Sequence, residues 1–296
     1  MPSNFSTLIG VDGGGTGTRV RVVRLDGSEV GCASSGPSAL LHGAPAAWAA
    51  ILQAIELVFR NAGEVQPPLA SMAIGLGLAG AHNLQWAEQF KQQNPGFAQL
   101  ALASDGMTTL LGAHLGMAGA IVAVGTGIIG EVITLTGEHR EVSGWGFPAG
   151  DDGSGSWIGL RAINYAQRML DGRVTHDAFG QSVAEFCGAG RNGMYDWLAL
   201  AKQNDFAKLA PIVIEHAANN AQAHSILLQA GAEIDVIART LDPHGLLPLA
   251  LCGGLGTPLR AYLPLTLQQR AMAPQSDATH GAMHLLRQHI AAHAAP

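Results

Sequence analysis

The first part of the chain alternates between apolar and polar residues in the pattern of a β-meander. An apolar run at 8–11 leads into a glycine loop, an alternating segment follows at 18–24, and an Asp26-Gly27 turn precedes a third run that ends at Ser34. A period of two is typical of strands that bury one face. We therefore predict three consecutive strands joined by short loops.

Helical and strand patterns then alternate. We predict a helix at 46–61, a buried strand at 72–78, a short helix at 84–93, a strand at 100–104 and a helix from 108 to about 116. A strand meander followed by helix, strand, helix, strand and helix is the order of a ribonuclease-H-like domain. The predicted fold class is therefore α/β.

The same plan repeats in the second half. We predict three strands around a second glycine loop, at 120–124, 128–134 and 141–142. Five helices follow, at 157–170, 178–186, 194–201, 206–217 and 221–241. The last predicted elements are a buried strand at 249–252, an edge strand at 270–273 and a helix from Asp277 to about 292. We predict two ribonuclease-H-like domains, residues 1–117 and 118–296, with a helical insert in the second. The terminal helix is expected to pack back toward the first domain.

Composition excludes several functional classes. The 296 residues are 48% hydrophobic and 13% charged, enough for a large core, and no apolar stretch reaches the ~20 residues of a membrane span. No basic and then apolar leader opens the chain, so we expect a cytoplasmic protein. A net charge of -6 argues against nucleic-acid or membrane partners. Three scattered cysteines indicate neither disulfides nor a zinc site.

The first glycine loop is the most informative segment. It comprises Asp12, Gly13, Gly14, Gly15 and Thr16. Adjacent glycines let backbone N–H groups approach a bulky anion, although an ordinary hairpin turn is the alternative. The loop lacks the Walker lysine and is followed by a strand instead of the helix of a dinucleotide site. We interpret it as a phosphate loop, with Asp12 either a Mg²⁺ partner or a structural turn residue.

Two further glycine segments fit the same ligand. Gly125, Thr126 and Gly127 join two predicted strands of the second half, as the first loop does in the first half. Gly253 and Gly254 follow a buried strand and would let a nucleoside lie against the backbone. Together these segments predict a site for the phosphates and nucleoside of ATP.

Asp105 is the candidate catalytic residue. It follows a buried strand, where ligand-facing residues of α/β sheets lie. Phosphoryl transfer to an alcohol needs a carboxylate that orients the hydroxyl and accepts its proton. Asp is also a preferred N-cap, so Asp105 could instead cap the helix predicted from Thr108.

A glycine-rich loop from Gly144 contains Trp145, Asp151 and Asp152. A carboxylate that accepts hydrogen bonds from neighbouring hydroxyls is a common sugar ligand, and Trp145 could offer the ring an apolar face. The alternative is that one aspartate caps the next helix or is a solvated loop charge.

Several motifs in collinear order are more specific than any one of them. They are VDGGGT at 11–16, GLAGA at 77–81, SDG at 104–106, GAHLG at 112–116, VGTG at 124–127, GDDGSGSWIGLR at 150–161 and QSDATHGA at 275–282. The series resembles the glucosamine kinase and N-acetylglucosamine kinase group of the BadF/BadG/BcrA/BcrD-type ATPases, in the sugar kinase, Hsp70 and actin superfamily. The resemblance implies an actin-like ATPase fold with the active site in a cleft between the two domains, ATP and Mg²⁺ as cofactors, an amino sugar as substrate and a homodimer.

The same resemblance implies a role for individual residues that match the motifs of the family. It implies that Asp105 is the base for the sugar 6-hydroxyl, that Asp151 binds a sugar hydroxyl, and that Thr16 and Thr126 contact phosphate. Gly144 and Trp145 match a loop on the sugar side. Ser38 lies in the Gly36-Pro37-Ser38-Ala39 segment, where the family often has GPSN and contacts the sugar, and Ile128 replaces the serine of a GTGS motif. These departures leave the identity of the hexosamine open.

Two alternatives remain at this point. The activators of CoA-ester dehydratases and reductases in the same family share an iron-sulfur cluster between subunits and need a close pair of cysteines, which Cys187 and Cys252 do not form in the sequence. A non-catalytic sugar-binding module is the other.

Overall fold

A computed structural model describes residues 5–294 of the chain. The described strands are β1 (Thr7–Gly13), β2 (Thr18–Arg24), β3 (Glu29–Ser35), β4 (Met72–Leu78), β5 (Gln99–Ala103), β6 (Gly119–Val124), β7 (Ile128–Ile133), β8 (His139–Ser143), β9 (Leu249–Cys252) and β10 (Ala271–Met272). The helices are α1 (Ala44–Ala62), α2 (Leu84–Gln92), α3 (Asp105–Ala113), α4 (Gly155–Leu170), α5 (Ala178–Phe186), α6 (Gly190–Leu200), α7 (Gln203–Ala207), α8 (Ala210–His216), α9 (Ala221–Leu241), α10 (Gly256–Leu259), α11 (Leu265–Arg270) and α12 (Ala278–Ala294). Among these helices, none is both long enough and apolar enough to cross a membrane.

Two five-stranded sheets share one topology. The first has the order β3-β2-β1-β4-β5, and the second, from its opposite end, β8-β7-β6-β9-β10. In each sheet, the three strands that come first in sequence pair antiparallel with their neighbours. The two strands that come later are parallel to the central strand, which is β1 in the first sheet and β6 in the second. The predicted α/β class and the internal repeat are confirmed.

The chain divides into two compact units. One contains the chain up to Ala118 together with the segment from Pro274, and the other is Gly119–Ala273. The domain ranges expected from the sequence placed the C-terminal segment with the second half. In the structure its helix α12 packs against β1, β4, β5 and α3 of the first unit.

Glycines let α12 lie directly on the first sheet. A Cβ atom added at Gly10 of β1 would stand 2.1 Å from the carbonyl oxygen of Thr279, and one at Gly75 of β4 would stand 2.0 Å from that of Ala282. Both distances are far below van der Waals contact, so any side chain would push the helix away. Backbone packing thereby fixes the two central strands that lead into the candidate site.

Asp277 anchors the start of α12, as the sequence predicted. Its carboxylate accepts hydrogen bonds from the His280 N–H at 3.1 Å and the Thr279 hydroxyl at 2.6 Å, and it pairs with Arg21 of β2 at 3.2 Å. Burial alone would raise the pKa of Asp277, but these donors hold it below its usual range.

Two helix predictions are wrong in detail. The helix predicted from Thr108 begins at Asp105, because Ser104 caps it by accepting a hydrogen bond from the Met107 N–H at 3.0 Å. The single helix predicted at 206–217 is two helices, α7 and α8. Pro211 lies in the first turn of α8, where a residue without an N–H starts a helix more readily than it continues one.

We expect Gly75→Ala to lower the free energy of unfolding by about 3 kcal/mol, because the added methyl group would collide with helix backbone. Urea denaturation followed by circular dichroism measures the change. Gly36→Ala is the matched control, since a Cβ there meets no atom within 4 Å. Equal stability of the two variants would contradict this account of α12.

Candidate active site

The first glycine loop is braced at its base and exposed at its tip. The Gly14 N–H donates to the Gly17 carbonyl at 2.9 Å, and the Gly14 carbonyl accepts from the N–H groups of Ser38 and Ala39 at 3.2 Å. Gly15 and Thr16 are exposed, whereas Gly13 is buried beneath them. The tip therefore offers glycine backbone and a hydroxyl to an anion, and Gly13 serves the base of the loop.

Ser38, which the sequence predicts at the sugar, is fully buried in this structure. Its hydroxyl oxygen lies 2.7 Å from the Thr18 hydroxyl, and a Cβ atom at Gly13 would stand 2.0 Å from it. The side chain fills the space beneath the loop and presents no surface to a ligand. Ser38 therefore supports the loop in this structure.

Asp12 lies within β1 and not in a turn. It stands opposite Arg19 in the β1–β2 register, and Arg19 Nε donates to its carboxylate at 3.0 Å. The Arg19 side chain is 62% exposed and that of Asp12 is 17% exposed, so the pair is accessible to solvent. An oxygen ligand at the end of a strand beside the glycine loop fits the preference of Mg²⁺ for carboxylates and phosphates.

Asp105 lies at the same sheet edge as the first loop. The register pairs Gly13 with Leu78 and Gly77 with Ala103, so the carboxyl ends of parallel β1, β4 and β5 are aligned. Two strand spacings, or about 10 Å, separate β1 from β5. Because Ser104 is the N-cap of α3, the alternative that Asp105 caps this helix is wrong. Asp105 is half-buried as the first residue of the helix.

In the second unit, α4 holds the second glycine loop from below. The carbonyl of Gly125 accepts from the Gly155 N–H at 2.9 Å, and that of Thr126 accepts from the Ser156 N–H at 3.1 Å. Ser154 caps the helix through the Trp157 N–H at 3.2 Å. The first N–H groups of α4 are thus satisfied by the loop and the cap, which fixes the loop and places the positive helix end beneath it. Thr126 and Gly127 are half-buried.

The Gly253-Gly254 segment lies beside the second loop. Gly253 has a left-handed backbone with φ of 78°, and a Cβ atom there would stand 2.3 Å from the Val124 carbonyl oxygen. The Leu255 N–H donates to that same carbonyl at 3.0 Å. Gly254 is exposed with open space above it. The second loop and the predicted nucleoside segment therefore form one surface of the second unit.

Asp151 is buried, so it is not a solvated loop charge. It does not cap α4, since Ser154 does, and its neighbour Asp152 is the exposed one. The Asp151 carboxylate accepts from Gln203 Nε2 at 2.8 Å and from the backbone N–H groups of Ile128 and Gly146. Burial raises the pKa of Asp151, and these three donors oppose the rise. It stands beside Gly127, where a Cβ atom would be 2.8 Å from Oδ2.

The loop before Asp151 holds Trp145 away from the protein core. Ser143, Gly144 and Gly146 all have positive φ, and so does Asp151 at 64°. Trp145 is 89% exposed, so its indole ring is available to a ligand. Left-handed backbone at non-glycine residues is uncommon and clusters at functional loops.

Gln203 is a contact of the candidate site that the sequence did not reveal. It opens α7 in the helical insert, 52 residues after its partner Asp151. Its position in the sequence carries no motif. The nearest sequence signal for this contact is Gly159 in the GSWIGLR segment. Because glycine has no side chain, α7 can approach α4 closely at this position.

A second group of potential metal ligands lies on β7 and β8. Ligand atoms of Glu131, His139 and Glu141 are within 4.8 Å of one another. His139 Nε2 lies 2.9 Å from the buried Glu131 carboxylate, and this hydrogen bond raises the pKa of His139. This hydrogen bond pairs His139 with the buried Glu131 carboxylate, so the proximity of the group is explained without a bound metal ion.

The three cysteines belong to different elements, with Cys32 on β3, Cys187 at the end of α5 and Cys252 on β9. All three are free, Cys32 is exposed, and burial raises the pKa of Cys187 to about 11 and that of Cys252 to about 12.

Comparisons with known proteins agree with this fold. The BadF/BadG/BcrA/BcrD ATPase family model matches residues 9–245. The chain is 32% identical over 276 residues to the glucosamine kinase GspK of Vibrio cholerae, covering 93% of this chain and 94% of that one. An inferred N-acetylglucosamine kinase from Chromobacterium violaceum has a TM-score of 0.94 and 49% identity, covering 96% of this chain and 100% of that one.

A more distant structure shows only how widely the fold is shared. The activator of 2-hydroxyisocaproyl-CoA dehydratase from Clostridium difficile has a TM-score of 0.51 at 9% identity, over 95% of this chain and 92% of that one. The fold is that of the actin-like ATPases, and the chain belongs to the BadF/BadG/BcrA/BcrD ATPase family.

Proposed function

We propose that this protein is an ATP-dependent kinase that phosphorylates the 6-hydroxyl of an amino sugar, N-acetylglucosamine or glucosamine. The observation that carries the proposal is the position of Asp105, which stands at the sheet edge of the first glycine loop while Ser104 caps its helix. The relatives named as amino-sugar kinases support the same activity over nearly the full chain.

The glycine segments are proposed to bind ATP. Gly14, Gly15 and Thr16 in the first unit and Thr126 and Gly127 in the second would contact phosphate oxygens, with Gly13 bracing the first loop. Gly253 and Gly254 would lie against the nucleoside. Asp12 and the phosphates would hold Mg²⁺, which neutralises charge on the transferring group when bound.

Asp105 is proposed as the catalytic base. As the sugar oxygen O6 bonds to the γ-phosphorus, the bond from that phosphorus to the β,γ-bridging oxygen breaks. The hydroxyl proton passes to the Asp105 carboxylate, and ADP leaves. A positioned carboxylate contributes both orientation and proton acceptance to such a transfer.

Asp151 and Trp145 are proposed as sugar ligands. An ionised carboxylate has roughly four acceptor positions, and Gln203 occupies one of them, so a sugar hydroxyl can bind beside it. The exposed indole of Trp145 would cover an apolar face of the ring. Gly144 permits the left-handed backbone that turns the loop before it.

The two departures from the family pattern concern buried side chains. Ala39 and Ile128 are 7% and 3% exposed. Each contributes a backbone N–H to a site element, Ala39 to Gly14 and Ile128 to Asp151. Because the backbone contacts do not depend on the side chain, the departures are compatible with kinase activity.

Location and assembly are further proposals. We expect a cytoplasmic protein that forms a homodimer, with neither nucleic acid nor membrane as a partner. The homodimer is expected from the family resemblance. The cytoplasmic location and the absence of nucleic-acid and membrane partners are expected from the composition.

In a coupled assay of ADP release we expect stimulation by glucosamine or N-acetylglucosamine well above that by glucose or N-acetylmannosamine. The ratio of kcat/KM values decides which hexosamine is the substrate. ADP release that no sugar stimulates would contradict the kinase and favour a binding module or an activator.

Asp105→Asn should lower kcat by about 10²- to 10⁴-fold, the usual contribution of a general base, while the KM for sugar changes only a few-fold. Asp196→Asn, on the exposed surface of α6, is the matched control. Near-wild-type turnover of Asp105→Asn would rule out Asp105 as the base.

Asp151→Asn should raise the KM for sugar at least about tenfold, because a charged acceptor is lost. The wild-type kcat/KM for sugar should fall as the pH drops through the raised pKa of Asp151, since the carboxylate must be ionised to accept a hydroxyl. Asp151→Asn should change this acid limb, and the exposed neighbour variant Asp152→Asn should keep it. An identical acid limb in Asp151→Asn would show that another group titrates.

A further inference from the structure

The helical insert contributes one side chain to the candidate sugar site. Gln203, half-buried at the start of α7, donates from Nε2 to Oδ2 of Asp151 at 2.8 Å. The same Nε2 would lie 3.4 Å from a Cβ atom at Gly127. The amide and the carboxylate are therefore hydrogen-bonded to each other beside the second glycine loop.

The packing of α7 gives Gln203 little freedom to move. A Cβ atom added at Gly159 of α4 would stand 1.9 Å from the Phe206 carbonyl oxygen, so α7 rests with its backbone on α4. The Phe206 ring contacts Phe147 of the glycine-rich loop, with 4.8 Å between centroids, and Trp197 of α6, with 5.2 Å. The helix that carries Gln203 and the loop that carries Asp151 are thus packed against each other.

The hydrogen bonds of Asp151 differ in kind. Two of its donors are backbone N–H groups, of Ile128 and Gly146, and belong to the loops themselves. Gln203 is the side-chain donor in this set, and it fixes Oδ2 from the side of the insert. A donor at a fixed position selects one rotamer of a carboxylate and favours its ionised form.

We propose that Gln203 is a positioning residue for amino-sugar binding, which holds the Asp151 carboxylate in the orientation that leaves an acceptor position open to a sugar hydroxyl. This inference rests on the proposed function, since it assigns Gln203 a task in the same sugar site. It also gives the helical insert a role in substrate binding beyond covering the second sheet.

Loss of the amide donor makes ionised Asp151 less stable, so its folded-state pKa rises further. The ionised fraction is then lost at a higher pH as the solution is acidified, and the acid limb of kcat/KM moves up in pH. The other charged groups on the elements around Asp151 stay the same in the variant, and they are Asp152, Arg161, Lys202, Asp205, Lys208 and Glu233.

Gln203→Leu removes the donor and keeps the side-chain size. We expect the KM for the amino sugar to rise on the order of tenfold, as for a hydrogen bond to a charged group, with kcat changed less than about threefold and the KM for ATP unchanged. The acid limb should move to higher pH. Gln181→Leu is the matched control, because the Gln181 amide also donates to a carboxylate, that of Glu185 at 2.7 Å, on an exposed helix face.

A second readout does not depend on catalysis. The carbon chemical shift of the Asp151 carboxyl, followed by NMR over a pH titration, should show a higher midpoint in Gln203→Leu than in the wild type, with Gln181→Leu unchanged. Equal midpoints, or an unchanged KM and acid limb in an active enzyme, would overturn the inference. A wild type that phosphorylates no sugar while the midpoint still shifts would instead reject the proposed function and retain the Gln203–Asp151 contact.

Discussion

Backbone packed directly on backbone, at positions where a Cβ atom would collide, holds the candidate site in place. In the first unit, Gly10 and Gly75 admit α12 onto the strands that end at the first glycine loop and beside Asp105. In the second unit, Gly159 of α4 allows α7 to pack closely on α4, and Gly253 allows the turn after β9 to pack closely on β6. Contacts of this kind tolerate little displacement, because interiors are close-packed and a main chain cannot rotate away as a side chain can.

The site residues divide into exposed binding groups and buried supports. Gly15, Thr16, Gly254 and Trp145 are exposed and available to a ligand. Ser38 and Gly13 are buried and brace the first loop. Asp151 combines both characters, since it is a buried carboxylate whose donors keep it ionisable despite the cost of desolvation. A ligand-binding charge in such a position is sensitive to each of its donors.

The sequence predicted much of the fold, because periodicity and glycine punctuation are local signals. The strands that end at the two glycine loops were found at nearly their observed bounds, and so was α9. What failed were features decided by neighbours. Ser104 instead of Asp105 caps α3, and Pro211 divides one predicted helix into two.

The position of the site was predictable in part, through motifs, but its supports were not. Nothing local in the sequence indicates that Ser38 is buried under Gly13, or that Arg19 is the partner of Asp12. Gln203 was missed because its contact with Asp151 depends on helix packing across 52 residues of chain. Close packing at a glycine such as Gly159 can be seen only once the partner helix is placed.

The proposed reaction transfers a phosphoryl group to one particular oxygen of an amino sugar. The most direct measurement is ³¹P and ¹³C NMR of the product formed from ATP and uniformly ¹³C-labelled glucosamine or N-acetylglucosamine. We expect a phosphomonoester whose phosphorus couples to C6 of the sugar. Phosphorus coupled to C1, or inorganic phosphate as the sole phosphorus product besides ADP, would contradict it.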